Sequence, residues 1–260
     1  MIAILRRAAL AAALVIAASL SAPLAPASAA DSFSTAQRDE IGRIVRDYLV
    51  QHPEVLQEAY QELEKRQAAA DAEKNKSAVK DHAQMLFSSP RQVVLGNPNG
   101  DVTMVEFFDY NCGYCKHAMG DMLSLLKSDP KLKVVLKEFP VLGPGSVEAA
   151  KVAAAVHLQD SSGKKYLEFH TKLLGGRGQA DKARALAVAK EIGMDVGRIE
   201  KDMNGPAVME VLKESAILSQ ALGLNGTPSY VVGNEVVVGA VGLAALKEKI
   251  NTARCGKADC

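Results

Sequence analysis

Cys112 and Cys115 stand two residues apart and enclose Gly113 and Tyr114. The pair lies where an apolar run of β character ends and a helical period begins. Backbone N–H groups and the positive end of a helix dipole at such a junction favour an anion, so the first thiol is biased toward thiolate. A thiolate attacks another protein's disulfide, and a second thiol close by resolves the mixed disulfide that forms. The spacing therefore reads as a redox pair. A purely structural bridge across so small a loop gains little chain entropy. A zinc site would need two further ligands, which Cys255 and Cys260 offer only about 140 residues away. His117, one turn on, reads as an exposed helical residue, so no metal and no cofactor enters the reading.

The elements that must hold the pair follow from periodicity. Residues 102–108 and 132–139 are β-type, and a helical period fills 112–128 between them, which makes a right-handed βαβ unit with the cysteines at its carboxyl edge. A further strand at 92–95 precedes it, with the turn Gly96-Asn97-Pro98-Asn99-Gly100 between. Four helices at 146–158, 165–174, 180–192 and 196–203 form an insertion of about sixty residues. A helix at 207–222, the turn Asn225-Gly226-Thr227-Pro228, a hairpin of 229–232 and 235–238 about Gly233-Asn234, and a helix at 243–252 close the chain.

Upstream, Arg6 and Arg7 precede an apolar run from Ala8 to Leu20, and Ala27-Ser28-Ala29-Ala30 follows. That order reads as a signal peptide cleaved after Ala29 or Ala30. Thirteen helical residues reach roughly 20 Å, short of the ~30 Å hydrocarbon core. The chain has 260 residues, 48% of them hydrophobic, and removing both arginines with residues 1–30 takes its formal charge from +1 to −1. Nothing so near neutrality carries an electrostatic footprint for nucleic acid. The four cysteines are an even number in an exported chain, which predicts disulfide chemistry. Cys255 and Cys260 read as a local structural disulfide in a polar tail, 255–260.

Between the signal peptide and the strands, residues 31–88 carry the apolar stripes Ile41, Ile44, Val45, Tyr48, Leu49 and Val55, Leu56, Ala59, Tyr60, Leu63, with Pro53 in the first turn of the second helix. From 64 to 80 alanine and charge dominate, as in an exposed helix or a linker. One-sided apolarity gains most by self-association, so 31–88 is expected to make a homo-oligomer, dimer or trimer, with folding back on the main domain as the alternative.

The stretch Val105-Glu106-Phe107-Phe108-Asp109-Tyr110-Asn111-Cys112-Gly113-Tyr114-Cys115 resembles the DsbA-like family of bacterial periplasmic thiol-disulfide oxidoreductases. Within it the resemblance is to the suppressor-of-copper-sensitivity C (ScsC) proteins and the Com1 outer-membrane-protein group. Glu138-Phe139-Pro140, Gly226-Thr227-Pro228 and the leader's Pro53-Glu54-Val55-Leu56 extend it over most of the mature chain. The resemblance implies an α/β thioredoxin fold with an inserted helical domain and an N-terminal helical segment: a domain at 91–254, with core 91–143 and 207–254 and insertion 144–206. It implies a cis Pro228 facing the cysteines, with Thr227 offering backbone to an extended substrate. It matches Glu106 and Lys137 to a buried acid and lysine beneath the active site that relay the second cysteine's proton.

Strong oxidases of the family carry histidine between the cysteines. Gly113-Tyr114, with Thr227 before the proline, resembles the isomerases and reductase-like members instead. The expected activity is a periplasmic disulfide isomerase acting on disulfide-containing or unfolded exported proteins and reset by a membrane redox partner. A dithiol oxidase is the alternative within the family. A copper-binding or structural envelope protein that keeps the fold is the alternative outside it.

Overall fold

The computed structural model describes residues 33–160 and 162–260; the expected signal peptide at 1–30 lies outside them. Ser34 starts the first helix, α1 (Thr35–Gln51), with a capping box: its hydroxyl accepts from the Gln37 N–H while the Gln37 side chain accepts from the Ser34 N–H. The next helix, α2 (Glu54–Asp81), runs through 64–80, so the alanine- and charge-rich stretch is helix and not linker. A short α3 (Ala83–Phe87) follows. The chain divides into two units, 1–63 and 64–260. In the first, α1 buries no residue, and Ile41, Ile44, Val45, Tyr48, Leu56, Tyr60 and Leu63 are exposed. Among the described residues no helix is long and apolar enough to cross a membrane.

The second unit is built on a five-stranded sheet in the order β1-β3-β2-β4-β5. Its strands are β1 (Val93–Gly96), β2 (Val102–Phe108), β3 (Leu132–Glu138), β4 (Ser229–Val232) and β5 (Glu235–Val238). Only β2 and β3 run parallel, joined by the crossover helix α4 (Gly113–Ser128). Alternation along β2 and β3 divides the core. Met104, Phe108, Leu132, Val134 and Leu136 face one side, with Cys115, Ala118, Met122 and Leu125 of α4. Val105, Phe107 and Val135 face the other, with Leu218 and Leu222. A sheet covered on both faces explains the nearly unbroken apolar strands. Each large side chain buried this way contributes about 1.5–3 kcal/mol.

The insertion is α5 (Pro144–Gln159), α6 (Lys164–Gly175), α7 (Lys182–Glu191) and α8 (Val196–Asp202); α9 (Pro206–Ala221) and α10 (Leu243–Cys255) belong to the core. Pro144 and Pro206 open their helices, where a missing N–H costs nothing. Asp181 and Asp195 cap α7 and α8 by accepting from the backbone of Arg184 and Arg198. The architecture is α/β, a thioredoxin fold with a helical insertion and an N-terminal helical segment.

The leader does not separate at residue 88. Val79 and Leu86 are buried in the second core cluster. Lys133 Nζ donates to Phe87 O at 2.7 Å and Lys137 Nζ to Met85 O at 2.8 Å, so two strand lysines cap the last carbonyls of α3. Val79 and Leu86 are therefore part of the second unit's core.

Candidate active site

Cys112 is the N-cap of α4: its backbone is extended, and its sulfur accepts the Cys115 N–H at 3.3 Å. In the thiol form Sγ also donates to Thr227 O at 3.1 Å. The Thr227–Pro228 peptide bond is cis. Both cysteines are free thiols, Cys112 with 6% of its surface exposed and Cys115 with none. A Cβ on Gly113 would meet nothing within 4 Å, and Tyr114 is 70% exposed, so the two intervening residues lie at the surface. Helix N-terminus and N–H donor together stabilise negative charge at the Cys112 sulfur. Burial holds the Cys115 thiol well above its ordinary range. The two sulfurs thus have unlike surroundings: one at the helix N-cap with an N–H donor, the other fully buried.

Three consecutive residues before Cys112 fix the turn. Asp109 Oδ1 accepts from Asn111 N–H at 2.8 Å, and its Oδ2 accepts from the N–H groups of Val141 and Leu142 at 2.8 and 2.9 Å. Tyr110 turns inward, its hydroxyl 3.4 Å from that of Tyr166. Asn111 donates from Nδ2 to Ser146 Oγ and Ala180 O and accepts the Ala180 N–H on Oδ1. Cys112 N–H closes the turn on Asp109 O at 3.1 Å. Sequence reasoning quoted Asp109, Tyr110 and Asn111 within the motif and assigned them no role. Their signal was three hydrogen-bonding side chains in succession at the end of a buried strand.

Glu106 lies on the α4 side of β2, directly across from Tyr230 of β4, and is 2% exposed. Its Oε2 has no hydrogen-bond partner among the described residues. Burial, with a smaller contribution from the Asp121 carboxylate, pushes its pKa up to about 8. Tyr230, its cross-strand neighbour, belongs to the same core cluster as Cys112 and Cys115. Lys137 is not there. Register pairs it with Phe107, and alternation turns it to the opposite face of the sheet, where it binds Glu214 of α9. Glu106 and Lys137 therefore lie on opposite faces of the sheet, and only the acid shares the α4 face with the cysteines.

The sign of the Glu106 shift gives a test. The native state keeps a proton above pH 4.5 that the unfolded chain has lost, so stability falls as pH rises toward 8. Glu106→Gln is expected to gain on the parent protein by about 1.4 kcal/mol per pH unit across that window. The gain should vanish below pH 4.5 and level off above 8. Urea unfolding of both proteins across this range measures it, and a margin that does not vary with pH contradicts the placement.

Cys255 and Cys260 are joined in a disulfide at the end of α10. Arg254 anchors that end through Asp101 and Asp129 at 2.9 and 2.8 Å.

The family described as DSBA-like thioredoxin domain matches residues 103–251, and that described as copper resistance protein ScsC N-terminal domain matches 37–70. A solved thioredoxin-like oxidoreductase from Silicibacter pomeroyi DSS-3 is 43% identical, with 66% of this chain and 96% of that one covered and a TM-score of 0.63. Proteus mirabilis ScsC in a transitional conformation is 26% identical, with 86% and 98% covered and a TM-score of 0.62. Among curated proteins, the Na(+)/H(+) antiporter NhaA of Herminiimonas arsenicoxydans is 25% identical over 166 residues, 63% of this chain and 26% of the antiporter. The chain spans about a quarter of that relative's length.

Proposed function

The chain belongs to the DSBA-like thioredoxin-domain family, and from that premise we propose that it is a periplasmic thiol-disulfide oxidoreductase working as a disulfide isomerase on exported proteins. The observation that carries the chemistry is the Cys112 sulfur at a helix N-cap, accepting the Cys115 N–H and facing Thr227 O. In the reaction, the Cys112 thiolate attacks one sulfur of a substrate disulfide. A Cys112–substrate bond forms, and the other substrate sulfur leaves as thiolate.

Two fates follow. A substrate thiolate attacks the substrate sulfur of the mixed disulfide and expels Cys112, which is isomerisation. Alternatively Cys115, its proton passed to Glu106 in the fraction of molecules whose carboxyl is ionised, attacks the Cys112 sulfur and releases a reduced substrate. The second route leaves Cys112–Cys115 oxidised and needs an electron donor to reset it, the role of a membrane redox partner. Thr227 supplies backbone at the sulfur for an extended substrate segment.

Direction is argued from three features. No histidine separates the cysteines, threonine precedes the cis-proline, and the α1–α2 stripe is exposed. An oligomer formed through that stripe holds several active sites around one misfolded substrate, which favours repeated exchange over single oxidation. In the full chain, Ile44→Asp with Tyr48→Asp is expected to give a monomer by light scattering. Reactivation of scrambled ribonuclease should fall at least tenfold while insulin reduction stays within twofold. An assembly that survives both charges, or a monomer that isomerises as well as the parent, contradicts the reading.

A further inference from the structure

We propose that Glu138 is a positioning residue for Cys112, acting through Tyr166 and Tyr110; the proposal rests on the thiol-exchange reading above. Glu138 ends β3 opposite Phe108 of β2 and is 4% exposed. Tyr166, on α6 of the insertion, donates its hydroxyl to Glu138 Oε1 at 2.6 Å. The Tyr166 hydroxyl lies 3.4 Å from that of Tyr110, two residues before Cys112. One short polar chain thus runs from the sheet, through the insertion, to the cysteine turn.

The surroundings make that chain rigid. Tyr110 meets Phe108 edge-on at 5.1 Å between ring centroids and Phe169 at 6.0 Å, while Tyr166 stacks on His170 at 6.1 Å. The titratable groups about Glu138 are Asp109, Tyr110, Tyr166 and His170, and none of them is a cation at neutral pH. Burial pushes His170 down to about 3, so its imidazole is neutral. Burial, opposed by the Tyr166 hydrogen bond and reinforced by the Asp109 charge, holds Glu138 well above the carboxylate range. Burial thus favours the neutral carboxyl, which engages Tyr166 through a hydrogen bond.

Packing alone does not call for an acid here. A buried polar group costs free energy unless its hydrogen bonds are made, and Glu138 Oε2 has no hydrogen-bond partner among the described residues. An apolar side chain would fill the space without that cost. What the carboxyl adds is direction: it fixes the Tyr166 hydroxyl, which abuts Tyr110. Tyr110 sits in the turn that Cys112 N–H closes on Asp109 O. The angle of that turn sets whether the sulfur meets the Cys115 N–H at 3.3 Å and Thr227 O at 3.1 Å. The helical insertion thus reaches the cysteine turn through Tyr166 and Tyr110.

The readout is the equilibrium of the full chain with glutathione, in which two glutathione thiols are oxidised to one glutathione disulfide as Cys112–Cys115 gains two electrons and two protons. Loosening the turn weakens N–H donation to the reduced sulfur and so disfavours the dithiol form. Glu138→Leu is expected to shift the equilibrium toward the protein disulfide at least tenfold, equivalent to a potential lower by about 30 mV. Glu138→Gln, which keeps a neutral hydrogen-bonding group, should stay within twofold of the parent. Tyr166→Phe removes only the hydroxyl and should shift the equilibrium at least threefold in the same direction as leucine. A folded Glu138→Leu within twofold of the parent, or a glutamine variant displaced as far as leucine, overturns the proposal. Should the leucine variant not fold, Tyr166→Phe decides, and an unchanged equilibrium there overturns it. A parent pair that never equilibrates with glutathione overturns the thiol-exchange reading and this proposal with it.

Discussion

Glu214→Ala is expected to destabilise the protein by about 3–5 kcal/mol, because it strands a buried lysine charge on the face of the sheet away from the cysteines. Lys137 is 3% exposed and donates to Met85 O and to Glu214 Oε1. Ser89 Oγ donates to Glu214 Oε2 at 2.7 Å, and Arg91 approaches the same oxygen at 3.7 Å. Burial pulls the Lys137 ammonium below its ordinary pKa, and the Glu214 carboxylate opposes that pull. With the carboxylate gone, Lys137 either stays charged without a counter-ion or gives up its proton, and each course costs stability. Typical domains have only about 5–15 kcal/mol in total, so the variant should unfold at markedly lower urea. Lys137→Met with Glu214→Leu is expected to recover most of the loss, since a well-packed apolar pair avoids desolvating two charges. Thiol exchange should change less than twofold in the folded double variant, with the same pH profile. A profile displaced by Lys137→Met would return the lysine to the proton path; a loss below about 1 kcal/mol in Glu214→Ala would contradict the weight given to the pair.

Lys137 also shows where sequence reasoning stopped. The strands, the insertion helices and the Cys112 cap were legible because periodicity and turn residues are local signals. The hairpin about Gly233-Asn234 and the Thr227-Pro228 turn were legible for the same reason. The face on which Lys137 lies was not. Both faces of β3 are buried, so Val134-Val135-Leu136-Lys137-Glu138 carries no alternation to read, and one residue of register reverses every side chain. Glu138 was quoted within a strand-end motif, but its partner Tyr166 comes from the insertion, 28 residues on, and no spacing announces it. The leader differs: Val79 stands alone in an alanine- and charge-rich helix, and Met85-Leu86-Phe87 is too short a run to show by period which surface it meets. What places them is the reverse face of the sheet, which only the folded chain supplies.

Cys112→Ser is expected to lower insulin reduction and scrambled-ribonuclease reactivation roughly a thousandfold or more, because an alkoxyl cannot form the mixed disulfide on which both depend. The fold should be unaffected, since serine also caps helices well and can accept the Cys115 N–H that Cys112 accepts at 3.3 Å. Cys115→Ser should behave differently. Its nucleophile is intact and its resolving thiol is missing, so substrate attaches and leaves only when a second thiol attacks. Cys255 and Cys260, closed as a disulfide at the far end of α10, should contribute to neither reaction. The most direct measurement follows from that asymmetry. Full-length Cys115→Ser is incubated with scrambled ribonuclease, free thiols are blocked, and the covalent product is located by peptide mass mapping. The expected result is a reducible adduct on Cys112. No adduct, or an adduct on Cys255 or Cys260 with Cys112 unmodified, would contradict the assignment of Cys112 as the attacking sulfur.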